Sequence, residues 1–425
     1  MSKDIINSVK GFRDILPDSI QYYRLIEETL ELITHQHGIS EIRLPVLEKS
    51  DLFNRSIGTE TEIVNKEMYT FLDKNNDSLS MRPEGTASCV RCALEHKLIY
   101  DRGIKKQKFW YYGPMFRYER PQKGRFRQFN QFGIEIFGYT NIDNDIEVIQ
   151  IADRIWKHLS LNDVDFHINS LGQKDDKKKY ANIISDHVKK YENDLDETSL
   201  ATYKRNPLRL LDSKNQMVKK ILSDVPLITE TLGVESKKRF ENLLLSLDDL
   251  NFSYQVDNSI VRGLDYYNDT VFEWKHKSLG SQDAVCAGGR YDSLVGQIGN
   301  VDVPAIGFAL GVERIIEILK EADIKNSDES LCISIIDVTT KKNASISLLS
   351  QLLRDKFLNI SFHNMDSSSS LSAQLKHASK LEASYVIILG DDEAAENRYL
   401  LKKFDSKEEL QLSKDELFNF IAKIK

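Results

Sequence analysis

Between Met115 and Glu135 the sequence sets cations, aromatic rings, amides and a carboxylate at strand spacing. Residues 115–120 are aromatic and charged, as a short strand running into a turn would be. Residues 121–124 supply the turn, with Lys123 and Arg125 around its tip. From Phe126 the chain alternates, so that Arg127, Phe129, Gln131, Gly133 and Glu135 share one face of a strand. That face lines up a guanidinium, a ring, an amide and a carboxylate, with Gly133 leaving space. Polar groups buried on a sheet are costly unless paired, and a small polar ligand lying on the sheet would supply the partners. An exposed antiparallel hairpin with one solvated face would show the same pattern. Composition alone leaves both readings open.

Three other stretches carry groups that could do chemistry. Arg82-Pro83-Glu84-Gly85-Thr86 stands just before an expected helix, where an acid or a hydroxyl normally serves as a cap. Arg262 sits between Val261 and Gly263 in what reads as an apolar strand; a lone buried arginine needs an anion, and Asp265 is the ordinary partner. Six of the twenty glycines fall between Gly288 and Gly311, ahead of Glu313 and Arg314. Glycines at a strand-to-helix junction let a flat ligand approach the backbone, or simply allow close packing. No GxGxxG and no GxxxxGK[ST] occurs, so Rossmann and P-loop readings lack their fingerprint.

The run Phe116-Arg117-x-Glu119-Arg120-Pro121-x-x-Gly124-Arg125-x-Arg127-x-Phe129 resembles motif 2 of class II aminoacyl-tRNA synthetases, and its wording resembles the histidyl-tRNA synthetase version. Residues 261–267, Val-Arg-Gly-Leu-Asp-Tyr-Tyr, and residues 287–292, Ala-Gly-Gly-Arg-Tyr-Asp, are similar to two signatures of that family. Residues 307–314 resemble motif 3, and a helix followed by a strand ending in Pro45 resembles motif 1, which builds a dimer interface in this class.

The resemblance implies a reaction in which histidine and ATP give histidyl-adenylate and histidine then passes to the 3′ end of its tRNA. It implies ATP and Mg²⁺, with no protein side chain assigned to the metal, and a homodimer. By the same resemblance Arg117 and Arg262 serve the α-phosphate as the catalytic pair, Arg314 the distal phosphates, and Phe129 stacks on adenine. Glu84 and Thr86 hold the amino group of histidine, for which a carboxylate beside a hydroxyl is chemically suited. Gln131, Arg262, Tyr266 and Tyr267 complete the histidine site, with Glu135 and Tyr267 reading the imidazole. Gln122, Lys123 and Arg125 meet the acceptor end of the tRNA. Preorganised arginines suit a step that concentrates negative charge on phosphoryl oxygens. A reading of another class is a non-catalytic, synthetase-like protein that binds histidine or tRNA and regulates a partner. Such paralogues tend to lose the arginines and signatures that are retained in this chain.

The elements that must position these residues follow from patterning. A helix is expected over 19–36, a strand over 38–45 and a hairpin of 68–72 with 78–82. A helix after Pro83, another over 143–159 and a strand over 166–171 come next. Residues 173–250 are rich in Lys, Asp and Glu and read as a mostly helical insertion, which in the family leans on the acceptor arm. A strand over 258–267, a turn at Asn268-Asp269 and a strand over 270–274 resume the sheet, and motif 3 starts a helix through Lys320. Beyond Ser327, strands (331–336, 359–363, 385–389, 399–404) alternate with helices (344–356, 371–381, 414–424), which suggests a separate α/β domain resembling the anticodon-binding domain of this group. The expected class is α+β: a class II catalytic domain over 1–325, with an antiparallel sheet flanked by helices, and an α/β domain over 328–425.

Bulk properties narrow the alternatives. The chain has 425 residues, 41% hydrophobic and 29% charged, as an ordinary globular protein has. A net charge of −7 argues against nucleic-acid binding by bulk charge, but nine Lys/Arg lie between Arg102 and Arg127 against the single acid Glu119, a local polyanion site. Cys89, Cys92, Cys286 and Cys332 are too few and too scattered for a disulfide framework, and Cys89-Val-Arg-Cys92 has no second pair at zinc spacing. His35 and His37 read as a helix end. With no run of ~18 apolar residues and no signal-peptide core, a cytoplasmic protein is expected.

Overall fold

The alternation that begins near residue 126 becomes the ten-residue strand Gln128–Phe137, paired antiparallel with Gln107–Phe116 from Phe116↔Gln128 to Gln107↔Phe137. This computed structural model describes residues 6–58, 61, 63–261, 266–280, 283–324, 331–341, 344–404, 406 and 408–424. Phe132, Ile134 and Ile136 enter one hydrophobic core, whereas Gln131, Gly133 and Glu135 lie on the opposite face. The strand expected over 115–120 stops at Phe116. Residues 117–127 form the connecting loop, closed by a bridge between Gln122 and Arg125, with Gly124 at φ 65°. Pro121 has no N–H to extend a ladder.

The chain separates into two compact units, 1–326 and 327–425. The first is built on an eight-stranded sheet in the order Ser40–Glu41, Gln107–Phe116, Gln128–Phe137, Ala305–Gly311, Ala284–Arg290, Asn268–Lys275, Asp165–Ser170, Gln255–Val256. All neighbours are antiparallel except the two edge pairs. Helices Pro17–Gln36, Ile142–His158, Val234–Asp249 and Val312–Glu321 bury Ile26, Ile151, Leu243 and Ile315 in the core behind Phe132 and Ile134. Full burial of such a side chain stabilises by roughly 1.5–3 kcal/mol. A second cluster, with Val90, Met115 and Tyr291, holds helix Thr86–Glu95 to the other face. His35 closes the first helix and His37 is its cap, as expected.

Two strands came out differently. Only Ser40–Glu41 of residues 38–45 pairs, with Phe109 and Trp110. The Arg82 guanidinium takes the backbone that would have continued the ladder: its Nη1 donates to the Leu44 carbonyl at 2.8 Å and its Nε to the Pro114 carbonyl at 2.9 Å. Of residues 258–267, the described ones are not strand. The Asp257 carboxylate accepts the Ser259 N–H at 3.0 Å and the Ile260 N–H meets the Asp257 carbonyl at 3.1 Å, so the chain turns there. The strand resumes at Asn268, within the expected turn.

The segment 173–250 also divides. Helices Lys174–Val188, Glu197–Arg205, Gln216–Leu222 and Ile228–Thr231 form an excursion, whereas Val234–Asp249 packs Phe240, Leu243 and Leu247 into the main core. Asp176 ties the two ends together by accepting the N–H groups of Gln173 (3.0 Å) and Gly233 (2.7 Å) and the Ser236 hydroxyl (2.7 Å).

The second unit is a five-stranded sheet ordered Ser361–Asn364, Cys332–Asp337, Tyr385–Leu389, Arg398–Lys403, Glu409–Ser413. The first three strands are parallel and the last two antiparallel. Helices Ser345–Lys356 and Lys414–Ile424 bury Leu349, Leu353, Leu417 and Ile421 against it. The edge strand Glu409–Ser413 was not legible in the sequence. Among the described residues no helix is long and apolar enough to cross a membrane.

Candidate active site

Glu135 is 1% exposed, and hydroxyl groups surround its carboxylate. Oε1 accepts from Thr86 Oγ1 at 2.7 Å and from the Tyr111 hydroxyl at 3.2 Å, and Oε2 accepts from the Tyr291 hydroxyl. Glycines make this arrangement possible. A Cβ on Gly133 would lie 2.2 Å from Tyr111 Cζ, one on Gly85 2.1 Å from Tyr111 Cε2, and one on Gly307 2.1 Å from Glu135 Oε2. The space expected for a ligand at Gly133 is filled by the Tyr111 ring. Burial pushes the Glu135 carboxyl up to about 8, even though the hydroxyl donors favour its ionised form.

Above this layer a cavity of about 950 Å³ opens on the sheet. Glu84, Thr86, Gln131, Tyr266 and Tyr267 line it, and Glu135 stands behind Thr86, whose hydroxyl donates to it. Glu84 does cap the helix, its oxygens accepting the N–H groups of Thr86 (2.7 Å) and Ala87 (2.8 Å). It is nonetheless 3% exposed, and burial raises its carboxyl above the usual range. Gln131 Oε1 accepts the Gly85 N–H at 3.1 Å, which fixes the motif strand to the helix start. The Tyr266 and Tyr267 rings pack at 4.7 Å, with Tyr291 5.7 Å from the first.

Three arginines, Arg117, Arg125 and Arg314, line the same cavity. Arg117 donates through Nε to the Pro83 carbonyl at 2.8 Å and lies over the Phe129 ring at 5.3 Å. Arg125 Nη1 meets Glu119 Oε2 at 2.8 Å, and Arg117 Nη1 is 3.8 Å from Oε1 of the same carboxylate. Arg314, on helix Val312–Glu321, donates to the Ala284 carbonyl. Burial and then the neighbouring Arg125 push the Arg314 guanidinium down to about 10. The Gly124 turn folds onto Arg314, leaving 3.2 Å between the place of a Cβ and Arg314 Cγ. Guanidinium groups crowded this closely form a site for an oxyanion with several oxygens.

Arg262 lies outside the described residues. Gln122 and Lys123 sit at the exposed tip of the loop, Lys123 paired with Glu321, whereas Arg125 turns into the cavity. Arg127 leaves the polar face to stack on the Tyr118 ring at 3.7 Å and donate to the Glu119 carbonyl at 3.3 Å. Sequence reasoning missed Tyr111 and Tyr291. The second was within reach, because it stands in the quoted Arg-Tyr-Asp segment. Arg290 of that segment is structural, buried against Asp145 at 2.6 Å and the Tyr139 carbonyl at 3.0 Å.

An antiparallel sheet with an arginine-bearing loop between two of its strands, and a second arginine where a glycine-rich strand turns into a helix, is the catalytic framework of class II aminoacyl-tRNA synthetases. Residues 11–315 match the family model for histidyl-tRNA synthetase and residues 333–424 that for the anticodon binding domain. The chain is 42% identical over 421 residues to a histidine–tRNA ligase of Buchnera aphidicola subsp. Schizaphis graminum, covering 99% of this chain and 98% of the relative. It is 40% identical over 412 residues to one of Hydrogenovibrio crunogenus, covering 97% and 96%. The crystal structure of apo S. aureus histidyl-tRNA synthetase aligns with a TM-score of 0.80 at 31% identity, covering 98% of this chain and 99% of that one. The chain belongs to the histidyl-tRNA synthetase family, and it is an aminoacyl-tRNA ligase.

Proposed function

We propose that the cavity activates histidine with ATP and passes it to the histidine tRNA. The observation that carries this reading is that one cavity brings together Glu84, Thr86, Gln131, Tyr266 and Tyr267, suited to an amino acid, with Arg117 and Arg314, suited to phosphates. Glu84 and Thr86 take the ammonium of histidine. Its imidazole points down towards Glu135, whose Oε2 accepts one hydroxyl and so keeps an acceptor position for a ring N–H. The histidine carboxylate attacks the α-phosphorus of ATP, the bond to the bridging oxygen breaks and pyrophosphate leaves. Arg117, with Arg262 from the sequence resemblance, stabilises the charge on the α-phosphoryl oxygens. Arg314 holds the leaving phosphates and Phe129 stacks on adenine. A ribose hydroxyl of the terminal adenosine then attacks the activated carbonyl and AMP departs.

Mg²⁺ enters as the companion of the ATP phosphates. Glu119, Glu273 and Asp283 line the cavity, but among the described residues no group of three His, Cys, Asp or Glu could hold a metal ion. Bound with ATP, the ion screens charge on the phosphates. Residues 1–325 act as the catalytic domain and 328–425 as the anticodon-binding domain of a cytoplasmic homodimer. Gln122, Lys123 and Arg125 meet the acceptor end. Histidine-dependent ATP–pyrophosphate exchange tests the reading. Arg117→Ala should keep its fold and lose ~10²–10³ in rate, as expected when one charge-stabilising donor is removed; exchange at the wild-type rate would reject it.

A further inference from the structure

The strand Ala305–Gly311 pairs with Gln128–Phe137 as far as Gly311↔Gln131 and then turns into helix Val312–Glu321. The next residue on the neighbouring strand, Asn130, is left with no strand on that edge to accept its N–H. Glu313 fills the gap. Its Oε1 and Oε2 each lie 2.9 Å from the Asn130 backbone nitrogen, and Oε1 also accepts from Asn130 Nδ2 at 3.1 Å and from the Tyr23 hydroxyl at 3.4 Å. The side chain is 4% exposed. A carboxylate this deep is costly unless donors hold it, and these donors come from the motif strand and from helix Pro17–Gln36. On either side of Asn130 stand Phe129 and Gln131, and directly after Glu313 stands Arg314.

We propose that Glu313 is a positioning residue for the activation step: it fixes the Arg314 guanidinium against the Phe129–Gln131 segment and so sets the distance between the anchors for the two ends of ATP. The inference rests on the reading of Phe129 and Arg314 as ATP groups. An acid in the first turn of a helix is favourable by itself, and an orphan amide could have been met by water. A two-oxygen grip on one backbone N–H does more, because it leaves neither the strand nor the helix free to slide past the other. Misplacement by about 1 Å can cost an enzyme about a hundredfold.

The test compares Glu313→Ala, Glu313→Gln and Arg314→Ala in pyrophosphate exchange, with KM measured separately for ATP and histidine and with thermal unfolding as the control. Glu313→Ala should raise KM for ATP at least about tenfold, within the range misplacement allows, while KM for histidine changes less than about threefold. Glu313→Gln keeps one acceptor and should recover part of the loss; it decides the matter if the alanine variant does not fold. A lowered unfolding temperature with wild-type KM for ATP in the folded glutamine and alanine variants would overturn the proposal and leave Glu313 a stability residue. If Arg314→Ala itself leaves KM for ATP unchanged, the assignment of Arg314 to ATP fails, which is distinguishable from failure of Glu313 alone.

Discussion

Replacing Glu135 by Gln should stabilise the protein by an amount that grows with pH. The carboxyl titrates at about 8 in the folded chain against an ordinary 4.5. Between those values the folded protein holds a proton that the unfolded chain has released, so stability falls as pH rises through this window. At about 1.36 kcal/mol per unit, the full shift amounts to about 5 kcal/mol, reached above pH 8. From pH 5 to pH 9 the wild type should therefore lose about 4 kcal/mol that the glutamine variant keeps, and roughly 2–4 after local relaxation and water entry soften the burial. Gln keeps one acceptor oxygen, for Thr86 and Tyr111, and its Nε2 can donate to the Tyr291 hydroxyl oxygen as a protonated carboxyl would, so the two proteins should be nearly equal at pH 5. Denaturant unfolding of both proteins at pH 5, 7 and 9 reads the difference directly. A wild-type-minus-variant difference that stays flat across that range would refute the assignment of a shared, buried, proton-holding carboxyl. In the same variant, KM for histidine should rise and lose its dependence on pH above about 7.

Tyr291→Phe removes one donor to this carboxyl; a hydrogen bond to an uncharged group is worth about 0.5–1.5 kcal/mol, so KM for histidine at neutral pH should rise roughly two- to tenfold while KM for ATP holds. Gly133→Ala should fail to accumulate as folded protein, because its Cβ would meet the Tyr111 ring at 2.2 Å; circular dichroism of a normally folded variant would contradict the packing. Neutralising Lys123 and Arg125 together should weaken aminoacylation more than pyrophosphate exchange and flatten its salt dependence, and equal loss in both assays would assign the turn to ATP alone. Sedimentation should find a dimer, and a fully active monomer would reject that expectation.

What was legible in the sequence was local and repetitive. The period-two run after Phe126 places Gln131, Gly133 and Glu135 on one face, and it is a face because Phe132, Ile134 and Ile136 have a core to enter. The cap reading of Glu84 holds, since its carboxylate grips two amides, and the same side chain lines the cavity. What failed depended on distant partners. The segment after Glu41 leaves the sheet edge because Arg82, more than thirty residues from Leu44 and from Pro114, claims both carbonyls. Arg127 left its expected face for Tyr118, and Tyr111 filled the hole at Gly133. Neither event has a spacing that announces it.

The grip of Asp176 on both ends of the excursion after Gln173 bears on how such a chain can change over generations. Entry and exit stand side by side, held by one side chain to Gln173, Gly233 and Ser236. Closing a shorter or longer loop between two points already together costs little, about 0.6 kcal/mol for each doubling of length. Codons between these anchors can thus be gained or lost at little cost to the chain, except where Thr202, Arg205 and Arg209 reach down to line the cavity. The region is a socket: its rim is held by one carboxylate, its inner turns serve the cavity, and its outer turns are free to be refitted.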